Sequence, residues 1–178
     1  MIEEMPELSR QTVRFCPLCG YPLLMQPVGP EGRHHPSCAG CGFVFYLNPQ
    51  LVVGTLPRQD GRVLLLRRNI EPAKGLWVFP GGYVDLGESV EEAAHRETRE
   101  EVNVEIRLDG LLGVYSFSTS PSAIIVYLAS VLAGEPRSGP EAQEVRWVGP
   151  DEIPWRELAF PSTGAALADW VKSLGRAG

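Results

Sequence analysis

The 178-residue chain has little that would send it to a membrane or to nucleic acid. Its longest apolar run, AIIVYLASVLA from Ala123 to Ala133, is too short to span a bilayer and suits a buried strand. The first ten residues, MIEEMPELSR, are acidic and contain no apolar stretch of the secretory kind, so a cytoplasmic protein is expected. Sixteen Lys and Arg are outnumbered by 22 Asp and Glu, for a net charge of -6. A binder that neutralises many phosphates is usually basic, which counts against nucleic acid as a partner. No low-complexity tract occurs, and apart from two short cysteine knuckles nothing repeats. With 44% apolar and 21% charged residues, the composition is that of one ordinary globular domain plus a small module.

Cysteine is scarce, and all four residues are spent on one pattern. Cys16, Cys19, Cys38 and Cys41 form C-x2-C-x18-C-x2-C, the ligand spacing of a tetrahedral zinc site. Gly20 and Gly42 each follow the second cysteine of a knuckle, where glycine lets the backbone turn its amides toward the sulfurs. The competing reading is two disulfides, which a chain with no secretion signal disfavours. His34 and His35 are alternative ligands, but four thiolates already complete the set. A structural Zn2+ would contribute to the folding of a unit too small for its own core. The ribbon is expected to occupy residues 1–48, and the main domain residues 49–178.

Beyond the ribbon, LVVGTL (51–56) and RVLLLRR (62–68) read as strands joined by an Asp60-Gly61 turn. A short strand WVF, then strands near 104–116, 123–132 and 144–148, follow. Residues 134–143, rich in Gly and Pro, are expected to be a mobile loop. Ser162 to Leu174 has helical periodicity, with Ser162 as the expected N-cap. The order suggests an α+β fold, a mixed sheet covered by helices on both faces.

The chemistry concentrates in GGYVDLGESVEEAAHRETREEVNV, Gly81 to Val104. Ser89 and Glu92 form a capping box that starts a helix. Val90, Ala93 and Ala94 line one face of its first turns, and Glu97, Glu100 and Glu101 continue that face. Like charges at i,i+4 and acids in the last turn are both unfavourable. An inward cluster of hard oxygen ligands is relieved by a cation such as Mg2+ or Mn2+. The bland alternative is a solvated acidic helix end. Gly81 and Gly82 just before the helix would allow the chain to fold tightly against it.

This segment resembles the Nudix box, G-x5-E-x7-R-E-U-x-E-E-x-G-U with U apolar. Gly82, Glu88, Arg96, Glu97, Glu100, Glu101 and Val104 occupy the matching positions. Thr98 stands at the first U and Asn103 at the second glycine; asparagine tolerates the left-handed backbone required there. FCPLCG, the second knuckle, YLNP, VVG, RRNIEPAKGLW, PGGY, GPE and IPWRELAFPS extend the resemblance over roughly Phe15 to Ser162, toward zinc-ribbon Nudix hydrolases related to plant FAD and ADP-ribose pyrophosphatases. The SQPW-type motif of the NADH pyrophosphatase branch is missing from GVYSFSTSPS.

The resemblance implies an α/β/α Nudix fold after the ribbon, and hydrolysis of a nucleoside diphosphate linked to another group, FAD or ADP-ribose first. NADH, NAD or a nucleotide sugar is the alternative substrate, and a non-catalytic nucleotide-binding regulator the alternative class. It implies Mg2+ or Mn2+ held by Glu97, Glu100, Glu101 and the Gly81 carbonyl, with Arg96 holding the glutamates in place and Glu88 bracing the loop. Glu144 looks like a downstream metal ligand or base. Arg67, Arg68 and Lys74 are candidates for phosphate contact. Tyr83, with Trp77, Tyr115, Phe117, Trp155 and Phe160, is a candidate for stacking on a flavin or adenine. Many such relatives are dimers, so a homodimer is consistent with the resemblance.

Overall fold

The structure, a computed structural model, describes residues 13–175. The acidic stretch 1–10, and with it the expectation that it is not a secretion signal, lies outside the described residues. Two compact units divide the chain, one ending at Pro49 and one beginning at Gln50. No helix of the described residues is long and apolar enough to cross a membrane.

The first unit is built on a two-stranded antiparallel sheet, β1 (Leu23–Val28) against β2 (Arg33–Cys38), flanked by the two cysteine knuckles. In each knuckle the glycine has positive φ, 72° at Gly20 and 76° at Gly42. Its amide donates back to the carbonyl of the first cysteine, Cys16 or Cys38, closing the turn. His34 and His35 lie on β2 opposite Pro27 and Gln26, and His35 packs on the ring of Tyr46.

The second unit is a seven-stranded mixed sheet between two helices. Its strands are β3 (Gln50–Gln59), β4 (Arg62–Arg68), β5 (Trp77–Val78), β6 (Gly81–Tyr83), β7 (Glu105–Ser116), β8 (Ser122–Ala133) and β9 (Ala142–Val148). The path runs β5-β4-β3-β8-β7, with β6 added to β3 and β9 to β4. Only β3 and β8 run parallel, from Gln50↔Ser122 to Arg58↔Ser130. The β3–β4 turn uses Asp60 and Gly61 with φ of 50° and 73°, a pair suited to a two-residue hairpin.

Alternation along β3 sends side chains to two cores. Val53 packs with Ala93 and Ala94 of α1 (Val90–Val102). Leu56 joins Trp77, Phe79, Tyr115, Leu167 and Trp170 in the larger core under α2 (Pro161–Leu174). Helix α1 begins at Ser89 with both hydrogen bonds of the capping box and ends at Asn103, φ 58°, in the left-handed conformation. Helix α2 corrects one expectation. Its N-cap is Phe160, Pro161 takes the first turn, and Ser162 is buried inside the helix. Proline fits there because its missing N–H has no intrahelical partner to lose.

The Gly- and Pro-rich segment after β8 is not a loose connection. The Arg137 amide donates to Val102 O at 3.1 Å, the Gly139 amide to Glu101 O at 2.9 Å, and Asn103 Nδ2 to Glu135 O at 3.0 Å. The first two bonds satisfy carbonyls that the end of α1 leaves free, and all three seat the segment beside the acidic turn of the helix.

Candidate functional site

The glutamate face of α1 meets the glycine pair of β6. In the register Val53↔Gly82 and Gly54↔Gly81, Gly82 shares the helix-facing side of the sheet with Val53. A Cβ at Gly82 would lie 2.5 Å from Glu97 Cδ, so only glycine lets that carboxylate reach the strand. One turn later, the Gly81 amide donates to Glu101 Oε2 at 2.7 Å. The smooth apolar start of the helix face therefore ends with two carboxylates pressed against backbone.

Arg96 organises the other side. Its Nε and Nη2 donate to both oxygens of Glu88 at 3.0 and 2.6 Å, its Nη1 to Glu97 Oε1 at 2.6 Å, and its Nη2 also to Tyr83 O at 3.1 Å. Its contact with Glu100 is longer, 3.5 Å. Glu88 in turn accepts from the Asp85 amide at 2.8 Å, bracing the loop between β6 and α1. Hydrogen bonds from Arg96, then from that amide, bring Glu88 down to about 2.

The glutamates differ sharply in environment. Side-chain exposure is 15% for Glu97 and 61% for Glu100. Burial pushes Glu97 up despite Arg96. Burial also pushes Glu101 up to about 8, against the Gly81 amide, with repulsion from Glu97 and Glu141 adding to the rise. Carboxylates that resist ionising together are what a divalent cation would relieve, and their all-oxygen donor set fits Mg2+ or Mn2+. Glu97, Glu100 and Glu101 do not close on one point as tightly as the sulfurs of the ribbon do. Arg96 draws Glu97 and Glu100 toward itself, and Glu100 turns outward.

Glu141 is a residue the sequence reading passed over. The segment pinned to the end of α1 carries it to where its charge acts on both Glu97 and Glu101. Its only signal was the GPE tripeptide, which does not reveal that the loop folds back. Glu144 lies on β9 opposite Arg67, and Arg146 donates to it at 2.6 Å.

Arg67 donates to Gly75 O at 2.7 Å and Arg68 to Pro72 O at 2.8 Å, so both are tied to the loop that contains exposed Lys74. Arg68 also stacks over Phe160, 5.2 Å from its centroid, and its charge is felt at Glu101. Tyr83 is 54% exposed and lines an open recess of about 730 Å³ with Leu51, Val84 and Leu86. Phe117 and Trp155 are exposed. Trp77 is in the core with Arg146 over its ring, and buried Tyr115 donates to Asp169, so these two present no free face to a ligand.

In the ribbon, the four sulfurs lie within 4.8 Å of one another, with separations of 3.6 Å for Cys16–Cys41 and 3.5 Å for both Cys19–Cys38 and Cys19–Cys41. A tetrahedron of Zn–S bonds of about 2.3 Å has edges of about 3.8 Å, so the cluster can bind zinc. The Cys41 backbone amide, despite some desolvation, brings Cys38 down to about 7. The Phe43 amide favours a thiolate at Cys41, yet the Cys19 and Cys16 thiols beside it push Cys41 up to about 12. Four adjacent sulfurs ionise together only around a cation. Neither His34 nor His35 belongs to the cluster.

A mixed sheet sandwiched by two helices, with a glycine pair facing an acidic helix end, makes this unit an α+β domain with its carboxylates gathered at one helix terminus. The NUDIX domain model matches residues 48–170, and the chain belongs to that family. An ADP-ribose pyrophosphatase of Methanocaldococcus jannaschii is 37% identical over 122 residues, 65% of this chain and 69% of that protein. The NAD-capped RNA hydrolase NudC of Chromobacterium violaceum is 35% identical over 145 residues, 79% of this chain and 52% of that protein, so the chain spans about half its length. The crystal structure of a NUDIX hydrolase from Nitrosomonas europaea superposes with a TM-score of 0.81 at 32% identity, covering 86% of this chain and 88% of that one.

Proposed function

We propose that the protein hydrolyses the diphosphate bond of a nucleoside diphosphate joined to a second group, with ADP-ribose as the first candidate substrate and FAD next. The observation that carries this is the pairing of Glu97 and Glu101 with the Gly81–Gly82 backbone, held from behind by Arg96. Glu97, Glu101, outward-turned Glu100 and the Gly81 carbonyl would hold the Mg2+ or Mn2+, with Glu141 close enough to add its charge. Bound there, the ion would neutralise the diphosphate and lower the pKa of an attacking water. Arg96 positions the carboxylates and is not spent on substrate. Arg68 on Phe160 would meet a phosphate or a planar ring, and Arg67 and Lys74 offer further cationic contacts on the same rim. Tyr83 is free to stack.

ADP-ribose is favoured by the relative from Methanocaldococcus jannaschii, which carries that activity in its name. An NAD-type substrate is the second reading, supported by the NudC relative, whose match covers more of this chain. A homodimer and a cytoplasmic location belong to the same proposal. Turnover of ADP-ribose, FAD, NADH, NAD+ and diadenosine polyphosphates with Mg2+ or Mn2+ ranks the substrates. Glu101→Gln should cut kcat by about a thousandfold or more while leaving the fold intact. A variant that cleaves as well as the parent removes Glu101 from the metal set.

A further inference from the structure

We infer that Thr55 and Thr98 form a buried hydroxyl clamp that sets the register of the glutamate helix on the sheet, making them positioning residues for metal binding; this rests on the metal site of the reading above, not on its substrate. Thr98 occupies the box position that is apolar in the motif. Both threonines have zero exposure, and their hydroxyl oxygens are 2.7 Å apart. Thr98 Oγ1 donates to Ala94 O, also at 2.7 Å, so its proton is committed and the Thr55 hydroxyl is the donor between the two. The pair is thus fully satisfied and has one orientation.

Its place in the fold gives it leverage. The Thr55 amide donates to Pro80 O at 2.9 Å, immediately before the glycine pair. One strand residue therefore grips both walls of the site, the Pro80–Gly82 backbone through its amide and α1 through its hydroxyl. Thr98 directly follows Glu97 and lies three residues before Glu101. The contacts it guards have little tolerance: Gly81 N to Glu101 Oε2 is 2.7 Å, and Glu97 leaves no room for a Cβ at Gly82. A valine at position 98 would fill the same space through dispersion alone, which is nondirectional, and would allow α1 to turn or slide.

Isosteric replacement separates positioning from stability. Thr98→Val strands the Thr55 hydroxyl in the core, whereas Thr55→Val with Thr98→Val removes both partners and can be nearly neutral for folding. Four full-length variants are compared with the parent: Thr98→Val, Thr55→Val, the double variant and Thr98→Ser. Mn2+ binding is read from the electron paramagnetic resonance of the free ion, together with melting temperature and kinetics on ADP-ribose with Mg2+.

Thr98→Val is expected to weaken Mn2+ binding about tenfold and to lower kcat similarly, with KM within about twofold, as for a displaced ligand set. The double variant should regain the parental melting temperature but keep the weakened Mn2+ binding. Thr98→Ser should restore both. A double variant that binds Mn2+ like the parent overturns the inference, because the pair is then structural only. If Thr98→Val does not fold, the double variant and Thr98→Ser still decide. A parent that binds Mn2+ yet hydrolyses none of the diphosphates refutes the hydrolase reading alone, and the clamp stands or falls on Mn2+ binding. A parent that binds no Mn2+ overturns the clamp.

Discussion

Glu101 Oε2 sits 2.7 Å from the amide of Gly81, although the two residues are twenty positions apart. A carboxylate near the end of one helix is thereby tied to the backbone of a strand, and under the proposed function that tie would fix where the cation stands. It also leaves Glu101 half-buried beside two other acids, with no positive group in direct contact among the described residues.

This tension has a pH signature. Burial, joined by the charges of Glu97 and Glu141, raises Glu101 from 4.5 to about 8 in the metal-free fold. Below 4.5 the carboxyl is protonated in the folded and unfolded chain alike, and the folded state carries no penalty. As pH climbs from 4.5 through 8, the folded state holds a proton that the unfolded state has released, so stability falls. In buffer without Mg2+, the protein should melt several degrees lower at about pH 8.5 than at about pH 5.5, a change of a few kcal/mol at most. Glu101→Gln should flatten the difference, and saturating Mg2+ should reverse it. An equally steep profile in Glu101→Gln assigns the effect to another group.

Gly82→Ala tests the contact directly. The new methyl would collide with Glu97 and, because it is fixed to the strand, the carboxylate must move. Activity should fall about a hundredfold or more, in kcat rather than KM. Melting should change by less than for a core truncation, since Glu97 can swing toward solvent. A fully active Gly82→Ala would show that Glu97 need not touch the strand.

Arg96→Lys keeps the charge and loses the fork. Arginine here serves Glu88 with two nitrogens, Glu97 with a third contact and the Tyr83 carbonyl with a fourth. A lysine ammonium cannot span those acceptors at once. The Mg2+ concentration for half activation should rise about tenfold, with the larger share of the effect in Glu97 placement. Glu88→Gln should give the same phenotype more weakly. Parental Mg2+ dependence in Arg96→Lys would reduce the arginine to a surface ion pair.

Local rules made much of this fold legible. The capping box at Ser89, the left-handed Asn103 and the Asp60-Gly61 turn each need only a few adjacent residues, the cysteine pattern needs only its own spacing, and each stands where the sequence places it. What stayed hidden depends on long-range contacts. Glu141 reaches the acidic cluster because Gly139 bonds to the end of α1, and no periodicity encodes that return. Glu100 is exposed because it lies about 60° around the helix from Glu97, at the edge of the stripe, whereas Glu101 lies about 40° to the other side and meets the Gly81 amide. Thr98 reads as a mild defect in an apolar position until Thr55, 43 residues away, is found bonded to it. The N-cap of α2 was misplaced because a serine is the commoner cap, while Pro161 fits the first helical turn without needing a side-chain cap.

The ribbon offers a test independent of the acidic site. Among the described residues its buried side chains are few, namely Cys16, Pro36, Ser37 and Cys38, whereas the second unit buries a core that includes Leu56, Phe79, Leu167 and Trp170. A metal held by four thiolates would then supply most of the folding free energy of the first unit and little of the second. Purified protein should contain about one Zn2+ per chain, and its thiols should react slowly with a disulfide reagent. Removing the metal with a chelator should release four fast-reacting thiols and expose the segment around residues 14–48 to protease. The second unit should keep its cooperative melting and its Mg2+ binding. Four thiols that react at full rate before any chelator is added would mean that the sulfurs hold no metal, and the cluster would then be a reduced thiol set held only by its knuckle turns.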